Sequence, residues 1–325
     1  MCCLFLKPLS KRTPILFRIL KLQMIITMKK IILPAFLLMC LLAVGCDKEK
    51  DPVPGTEPEN VYGDQTLPQG NHDYDNYIVD FFRQTNTLIL YKFVDHDIYW
   101  NVTGSLLRIV DWEAENATGI EYIVADEDYI GGQLELMKEK FFKYYSVEFL
   151  KKMLPKKILL TERFGYLYIR SYIHTWYPYD CYSGNDYLIF SWGGERVAAI
   201  TAAEKNSFKN TSTEVFLKRI SDNGMLEKND NFFSFTNYVT PGATDPERWA
   251  NGILAYADRT QAADWVAYIR MITSTPYSKL TDEGGFLHSD RDTKGVIRKK
   301  YDVITSHFRD KYGIDLQSIG NDMEI

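Results

Sequence analysis

The sequence is poor in the residues that cross-link or metallate small secreted domains. It has five cysteines among 325 residues. Cys2, Cys3 and Cys40 fall in a segment read below as a removed leader, and Cys46 as a lipid attachment point. That leaves Cys181, which excludes an intramolecular disulfide framework and a cysteine-based zinc site. Cys181 itself reads as a half-buried small hydrophobe rather than a nucleophile. Histidine is equally sparse: His72, His96, His174, His288 and His307, no two of them within a helix turn. Helical zinc sites need two His at i and i+4, so that both imidazoles share one face. The Asp95-His96-Asp97 triplet reads as a solvated polar loop. There is no glycine-rich phosphate loop and no nucleophile elbow. Past residue 45 the chain is short of positive charge. Residues 1–45 hold seven basic residues and no acidic one, which leaves 31 basic against 43 acidic residues beyond them. An excess of 12 negative charges argues against sequence-independent nucleic-acid binding. The longest apolar run, Ile31 to Val44, is 14 residues, short of the ~20 that span a bilayer.

What is present first is an address. Lys29-Lys30, the apolar run and Ala43-Val44-Gly45-Cys46 have the layout of a signal peptide. A Cys directly after that triplet resembles a bacterial lipobox, which implies a diacylated Cys46 as first residue of the mature chain. The acidic Asp47-Lys48-Glu49-Lys50-Asp51 tract resembles the signal that sends some lipoproteins to the outer cell surface. Met28 reads as the start of this leader, with residues 1–27 an over-extended start and 28–45 the signal peptide. Residues 46–70, rich in Asp, Glu, Pro and Gly, read as a flexible tether, and residues 71–325 as one domain.

Within that domain the pattern predicts a helix over Asp73–Phe82, a strand over Thr87–Phe93 and an amphipathic helix over Gln133–Met153. A strand over Lys157–Thr161 follows Pro155. Residues 164–192 read as short strands and turns. Helices are expected over Asn210–Ile220, Gln261–Thr273 and Gly295–Tyr312, the last stopped by Gly313. The second of these is expected to bury Ala262, Trp265, Val266, Ile269 and Ile272. Strands first and helices later make an α+β fold, a small mixed sheet followed by a helical C-terminal half.

Four stretches carry a family resemblance: Tyr74-Asp75-Asn76-Tyr77-Ile78 leading into Ile89-Leu90-Tyr91-Lys92-Phe93; the run Phe149 to Leu160; Ile253-Leu254-Ala255-Tyr256-Ala257 with Asp264-Trp265-Val266; and Phe308 to Leu316. With the lipobox, their order is similar to the substrate-import-associated zinc metallohydrolase lipoproteins. That resemblance implies a zincin-like metallopeptidase fold, an outer-membrane location, and as partners a TonB-dependent importer and its substrate-binding lipoprotein. It also implies a His-Glu-x-x-His helix, whose two His bind zinc and whose Glu polarises the attacking water, and a third ligand among two downstream glutamates. Only Glu214 matches. Thr213 and Leu217 stand at the His positions, and Ala263 and Ala267 at the glutamates. Leu and Ala cannot ligate zinc, and neutral Thr is a poor ligand. The expectation is a metallopeptidase-like protein with no zinc, no catalysis, and Glu214 as a vestige.

Between Phe164 and Trp192 there are 11 aromatic residues in 29. Tyr166, Tyr168, Tyr172 and Tyr187 read as one strand face. Trp176, Tyr177 and Tyr179, put on a loop by Pro178, are the candidate platform for a sugar ring or peptide backbone. The sequence therefore points to a lipid-anchored accessory protein that holds a peptide, glycopeptide or glycan. Three other readings stay open: an active zinc peptidase with a dispersed metal site, a structural lipoprotein without ligand, and a glycoside hydrolase with two carboxylates across a cleft.

Overall fold

The computed structural model describes residues 66–99 and 111–324. The leader, Cys46 and the tether up to residue 65 lie outside the described residues. The chain joins the domain at Leu67, which packs on the core, and at Gln69, whose Oε1 accepts from Tyr91 N at 2.8 Å.

The elements in chain order are α1 (Asp73–Thr85), β1 (Leu88–Leu90), α2 (Asp95–Tyr99), β2 (Asn116–Val124), α3 (Ile130–Lys140), a 3-10 turn (Phe142–Tyr144), α4 (Val147–Met153), β3 (Lys157–Arg170), β4 (Ile173–Pro178), β5 (Cys181–Ser183) and β6 (Tyr187–Phe190). A second 3-10 turn (Glu195–Ala199) then leads to α5 (Ala202–Asp222), α6 (Asp230–Ser234), α7 (Asp245–Ala250), a 3-10 turn (Tyr256–Asp258), α8 (Gln261–Ser274), α9 (Tyr277–Thr281), α10 (Val296–Tyr312) and α11 (Leu316–Asn321). This is a mixed α/β fold with a small mixed sheet and a helical C-terminal half, as the pattern predicted.

β3 organises the sheet. Its first residues pair in parallel with β1 on one side and β6 on the other, and β5 closes the far edge antiparallel to β6. Both faces of this part are covered. Ile158, Leu160, Leu188 and Phe190 point into the main helical core, while Leu159, Tyr187 and Ile189 pack with Leu90, Ile98 and Phe164 on the other side. Two-sided burial explains the unbroken apolar runs of β3 and β6. The second half of β3 leaves the sheet and forms an antiparallel ribbon between β2 and β4.

β3 and β6 part company at Thr161, and one side chain holds them. Gln133 is fully buried and its Nε2 donates to Phe190 O at 2.8 Å, Ser191 O at 2.9 Å and Thr161 O at 3.2 Å. Its sequence neighbourhood gives it no special signal, since Gln is common on exposed helix faces. Gln133→Leu removes all three bonds, leaving Thr161 O to Gly193 N and Phe190 O to Thr161 Oγ1, and should cost about 1–3 kcal/mol in urea denaturation.

Two predicted elements differ. The helix expected over Gln133–Met153 is broken in three. Phe141 leaves helical geometry (φ −139°, ψ −66°), and Ser146 caps a new helix by accepting from Phe149 N at 3.1 Å. Across the break Phe141, Tyr145 and Phe149 all reach Phe216, at ring separations of 5.4, 5.2 and 6.2 Å; a straight helix would keep them on one face but spread them over about 12 Å of its length. Asp95-His96-Asp97 is the first turn of α2 rather than a solvated loop, because Asp97 is buried against Lys157 Nζ at 3.2 Å.

The C-terminus is clamped by cations. Lys140 Nζ bonds Glu324 Oε1 at 2.5 Å, and Lys209 Nζ donates to Ile319 O at 2.7 Å and Asp322 O at 2.9 Å, capping α11. Burial alone would raise the Asp322 carboxyl, but hydrogen bonds from Lys143 and Tyr144 and the charge of Lys140 outweigh it and bring it to about 2. A depressed carboxyl contributes stability above its unfolded pKa and loses it as pH falls through the folded one. Asp322→Asn should therefore cost about 1–2 kcal/mol at pH 7, and its difference from the parent chain should vanish as pH falls from about 4 to about 2. Denaturation curves across that range read it directly.

Candidate functional site

α5 begins eight residues earlier than the apolar pattern suggests, at a capping box in which Thr201 and Glu204 satisfy each other's backbone N–H. The helix packs along α8. That brings together the positions which the resemblance would assign to a metal centre. None offers zinc a donor. Thr213 is fully buried, its hydroxyl facing Tyr145 without a partner at hydrogen-bond geometry. Leu217 is fully buried in the main core, and Ala267 is 2% exposed. Ala263 lies half-buried at the first turn of α8.

Glu214 points the other way, out of the core. Its Oε1 lies 3.3 Å from Arg270 Nη1 on α8, and Arg270 Nη2 lies 3.8 Å from Asp258 Oδ1. The Glu214 carboxylate is thus paired with a guanidinium on the exposed side of α5, away from the buried side that carries Thr213 and Leu217. The residues present do not fit zinc. Among the described residues no three of His, Cys, Asp and Glu come together as a metal-binding group. Four of the described histidines have separate neighbours: His72 sits between Asp75 and Glu127, His174 beside Trp112, His288 beside Asp290, and His307 against Glu227 O at 2.7 Å.

Behind Arg270, α8 buries Asp264 and Trp265 with Ala267, Tyr268, Ile269, Met271 and Ile272. Ala262 and Val266 are not on this face. The reason is Lys300 of α10, buried with Asp264 and hydrogen-bonded to it, which rotates the polar edge of α8 inward. Burial pushes the Asp264 carboxyl up to about 6 and the Lys300 ammonium down to about 8, and each partner's charge opposes the other's shift.

The aromatic segment is not a loop. Trp176, Tyr177 and Pro178 belong to β4, an edge strand paired only with β3, where the missing N–H of Pro178 costs no ladder bond. Strand alternation then splits the expected trio. Trp176 pairs with Leu167 and packs on the small cluster of Leu167 and Ile169; its ring lies across Gly165, where any Cβ would meet it at 2.5 Å. Tyr177, 52% exposed, is on the opposite face beside Tyr166, with Tyr168 one pair along. Tyr179 is past the strand end and contacts Phe164 and Tyr182 at 6.3 and 5.9 Å. Tyr172 is in the left-handed β3–β4 turn, and Tyr187 is buried in β6, so neither shares the tyrosine face. The tyrosine face is Tyr168 and Tyr177, both exposed, with Tyr166 half-buried between them and the core. Cys181 is fully rather than half buried, and burial pushes its thiol up, which suits an inert core residue.

A separate cleft of about 380 Å3 opens beside Arg270, between α8, α9 and the 284–286 loop. Its one trace in the residue pattern is an acidic residue, Asp258, just after the apolar Ile253–Ala257 segment.

No family model matches the chain, and no curated protein sequence matches it. Among solved structures, it is similar to a provisionally assigned zinc-binding metallo-peptidase from Bacteroides caccae, with 10% identity and a TM-score of 0.46 over 76% of this chain and 88% of that one. A likeness that faint carries no argument about chemistry.

Proposed function

We propose that this chain is a lipid-anchored outer-membrane accessory protein of a TonB-dependent import system. In this reading its domain is zincin-like and holds a peptide, glycopeptide or glycan without zinc-dependent hydrolysis. The lipobox ending in Cys46 supports the anchor, and the sequence resemblance supports the location and the importer as partner. The observation that carries the loss of catalysis is the Glu214–Arg270 pair. A general base in a metallopeptidase must face a metal-bound water, whereas this carboxylate faces a guanidinium and its flanking helix positions are buried Thr213 and Leu217. Incubation of the full chain with a mixed-peptide pool should give no chelator-sensitive cleavage beyond that of Glu214→Gln. Cleavage that stops in the variant would overturn the reading.

Holding a ligand falls best to the tyrosine face. Tyr166, Tyr168 and Tyr177 present flat rings with polar tips on a rigid ribbon, which suits a sugar ring or an extended peptide. Tyr177→Ala should weaken glycan or peptide binding about tenfold with folding intact. Trp176→Ala should leave affinity alone and lower stability instead, since that ring is packed beneath the ribbon. Equal effects of the two on affinity would refute the assignment of faces, and a structural lipoprotein would bind in neither case.

A further inference from the structure

The cleft beside Arg270 has apolar walls and one buried acid. Leu254, Met271, Leu280 and Phe286 line it. Its far wall is built rather than incidental. Leu287 N donates to Leu280 O at 2.8 Å, which folds the loop back over the end of α9, and Gly285 is required there because any Cβ would come within 2.2 Å of Leu280 O. Ala267, at one of the positions where the family resemblance implies a glutamate, contributes a floor with no bulk.

Asp258 is sunk into this space with its side chain 7% exposed. A carboxylate so placed is costly unless a cation neutralises it. Burial pushes its carboxyl up, and Arg270 only partly offsets that. The arithmetic of charge explains why. Arg270 is half exposed, lies 3.8 Å from Asp258, beyond hydrogen-bond reach, and sits closer to Glu214 at 3.3 Å. One guanidinium is therefore shared by two carboxylates. The next cation, Lys300, is bonded to Asp264 and reaches Asp258 only through its field, and Lys279, on the wall of the cleft, pairs with Asp282 at 3.4 Å. Glu214, Arg270 and Asp258 together keep one negative charge, at the mouth of an apolar cleft.

We propose that this cleft binds a primary ammonium group carried on a compact apolar body, the chemistry of a peptide's free amino terminus, with Asp258 as its counter-charge. Ser274, Thr275 and Lys279 add polar groups to the lining, but the mainly apolar walls favour an apolar body over a hydrated metal ion or a sugar. An apolar first side chain would cover Met271 and Phe286 while its ammonium replaces the missing half of Arg270's compensation. This rests on the reading of the chain as a ligand-binding protein and names a ligand class for it.

Calorimetry on the purified full chain tests it with leucyl-alaninamide, the N-acetylated form of the same dipeptide, and free leucine. The dipeptide amide should bind, and acetylation, which removes the charge and adds a small acyl group, should weaken it at least about tenfold, with Asp258→Asn separating the lost charge from the added bulk. Asp258→Asn should reduce the dipeptide to the level of its acetylated form. Free leucine binding more weakly than the dipeptide assigns the site to peptide ends, and equal binding assigns it to free amino acids; both keep the ammonium. Equal binding of the acetylated and free dipeptides, or no binding of either, overturns the inference, and this comparison on the unaltered chain stands even if the variant does not fold. A glycan or longer-peptide pool run alongside separates the two levels. Pool binding lost in Tyr177→Ala with no dipeptide binding removes the cleft alone, whereas no binding of any kind removes the ligand-holding function too.

Discussion

Lys300→Met is expected to lower unfolding free energy by about 3–5 kcal/mol, the cost of leaving one member of a buried ion pair alone. Lys300 and Asp264 are both completely buried. The ammonium also donates to Gly252 O at 2.9 Å and Thr236 Oγ1 at 3.1 Å, and lies over the rings of Phe232 and Tyr268 at 4.4 and 4.6 Å. Methionine fills the same tube of space but supplies no charge. Asp264 would then keep only the Tyr238 hydroxyl, with its Oδ1 already without a partner. The double variant Lys300→Met/Asp264→Leu removes both charges and should recover most of the loss, since apolar replacements of a whole buried pair are often neutral. A single variant costing under about 1 kcal/mol in urea denaturation would mean that water reaches the pair.

Leu217→His is expected to be nearly as damaging, about 3–4 kcal/mol, and to recruit no metal. Residue 217 is the second of the two positions where the family resemblance asks for histidine. It lies on the fully buried side of α5, with Phe216 and Ile220 as buried neighbours. An imidazole there loses its hydration and must displace packed apolar neighbours. If the position instead faced a latent metal site, the variant would be tolerated and added zinc would raise its melting temperature.

Several parts of this molecule are legible from residues alone, and the reasons are local. Gly295 and Gly313, both left-handed, bracket α10 where the apolar period of Ile297, Tyr301, Ile304 and Phe308 starts and stops. The α8 helix lies where its pattern and its Thr260 cap put it. What is illegible depends on partners distant in sequence. Nothing near Phe141 says that the helix must break there; the cause is Phe216, on α5. Nothing in Trp176-Tyr177 says that one ring is packed and the other free; the cause is pairing with Leu167 and Tyr166 across the turn. Asp264 looks like an ordinary polar residue of an amphipathic helix until Lys300 arrives from α10. The candidate site shows the same division. The family resemblance is what names Thr213 and Leu217 as residues standing at expected ligand positions, but Arg270 as the partner of Glu214, and Asp258 beyond that, emerge only when α5 and α8 are docked.

The most direct test of the central claim is metal content. The full chain, purified without a metal-binding tag, supplied with zinc and dialysed, should retain less than about a tenth of an equivalent by mass spectrometry, because Leu217, Ala263 and Ala267 supply no ligand and Thr213 only a neutral hydroxyl. One tightly held equivalent would contradict the account, and would mean that a zinc site is assembled from residues other than these.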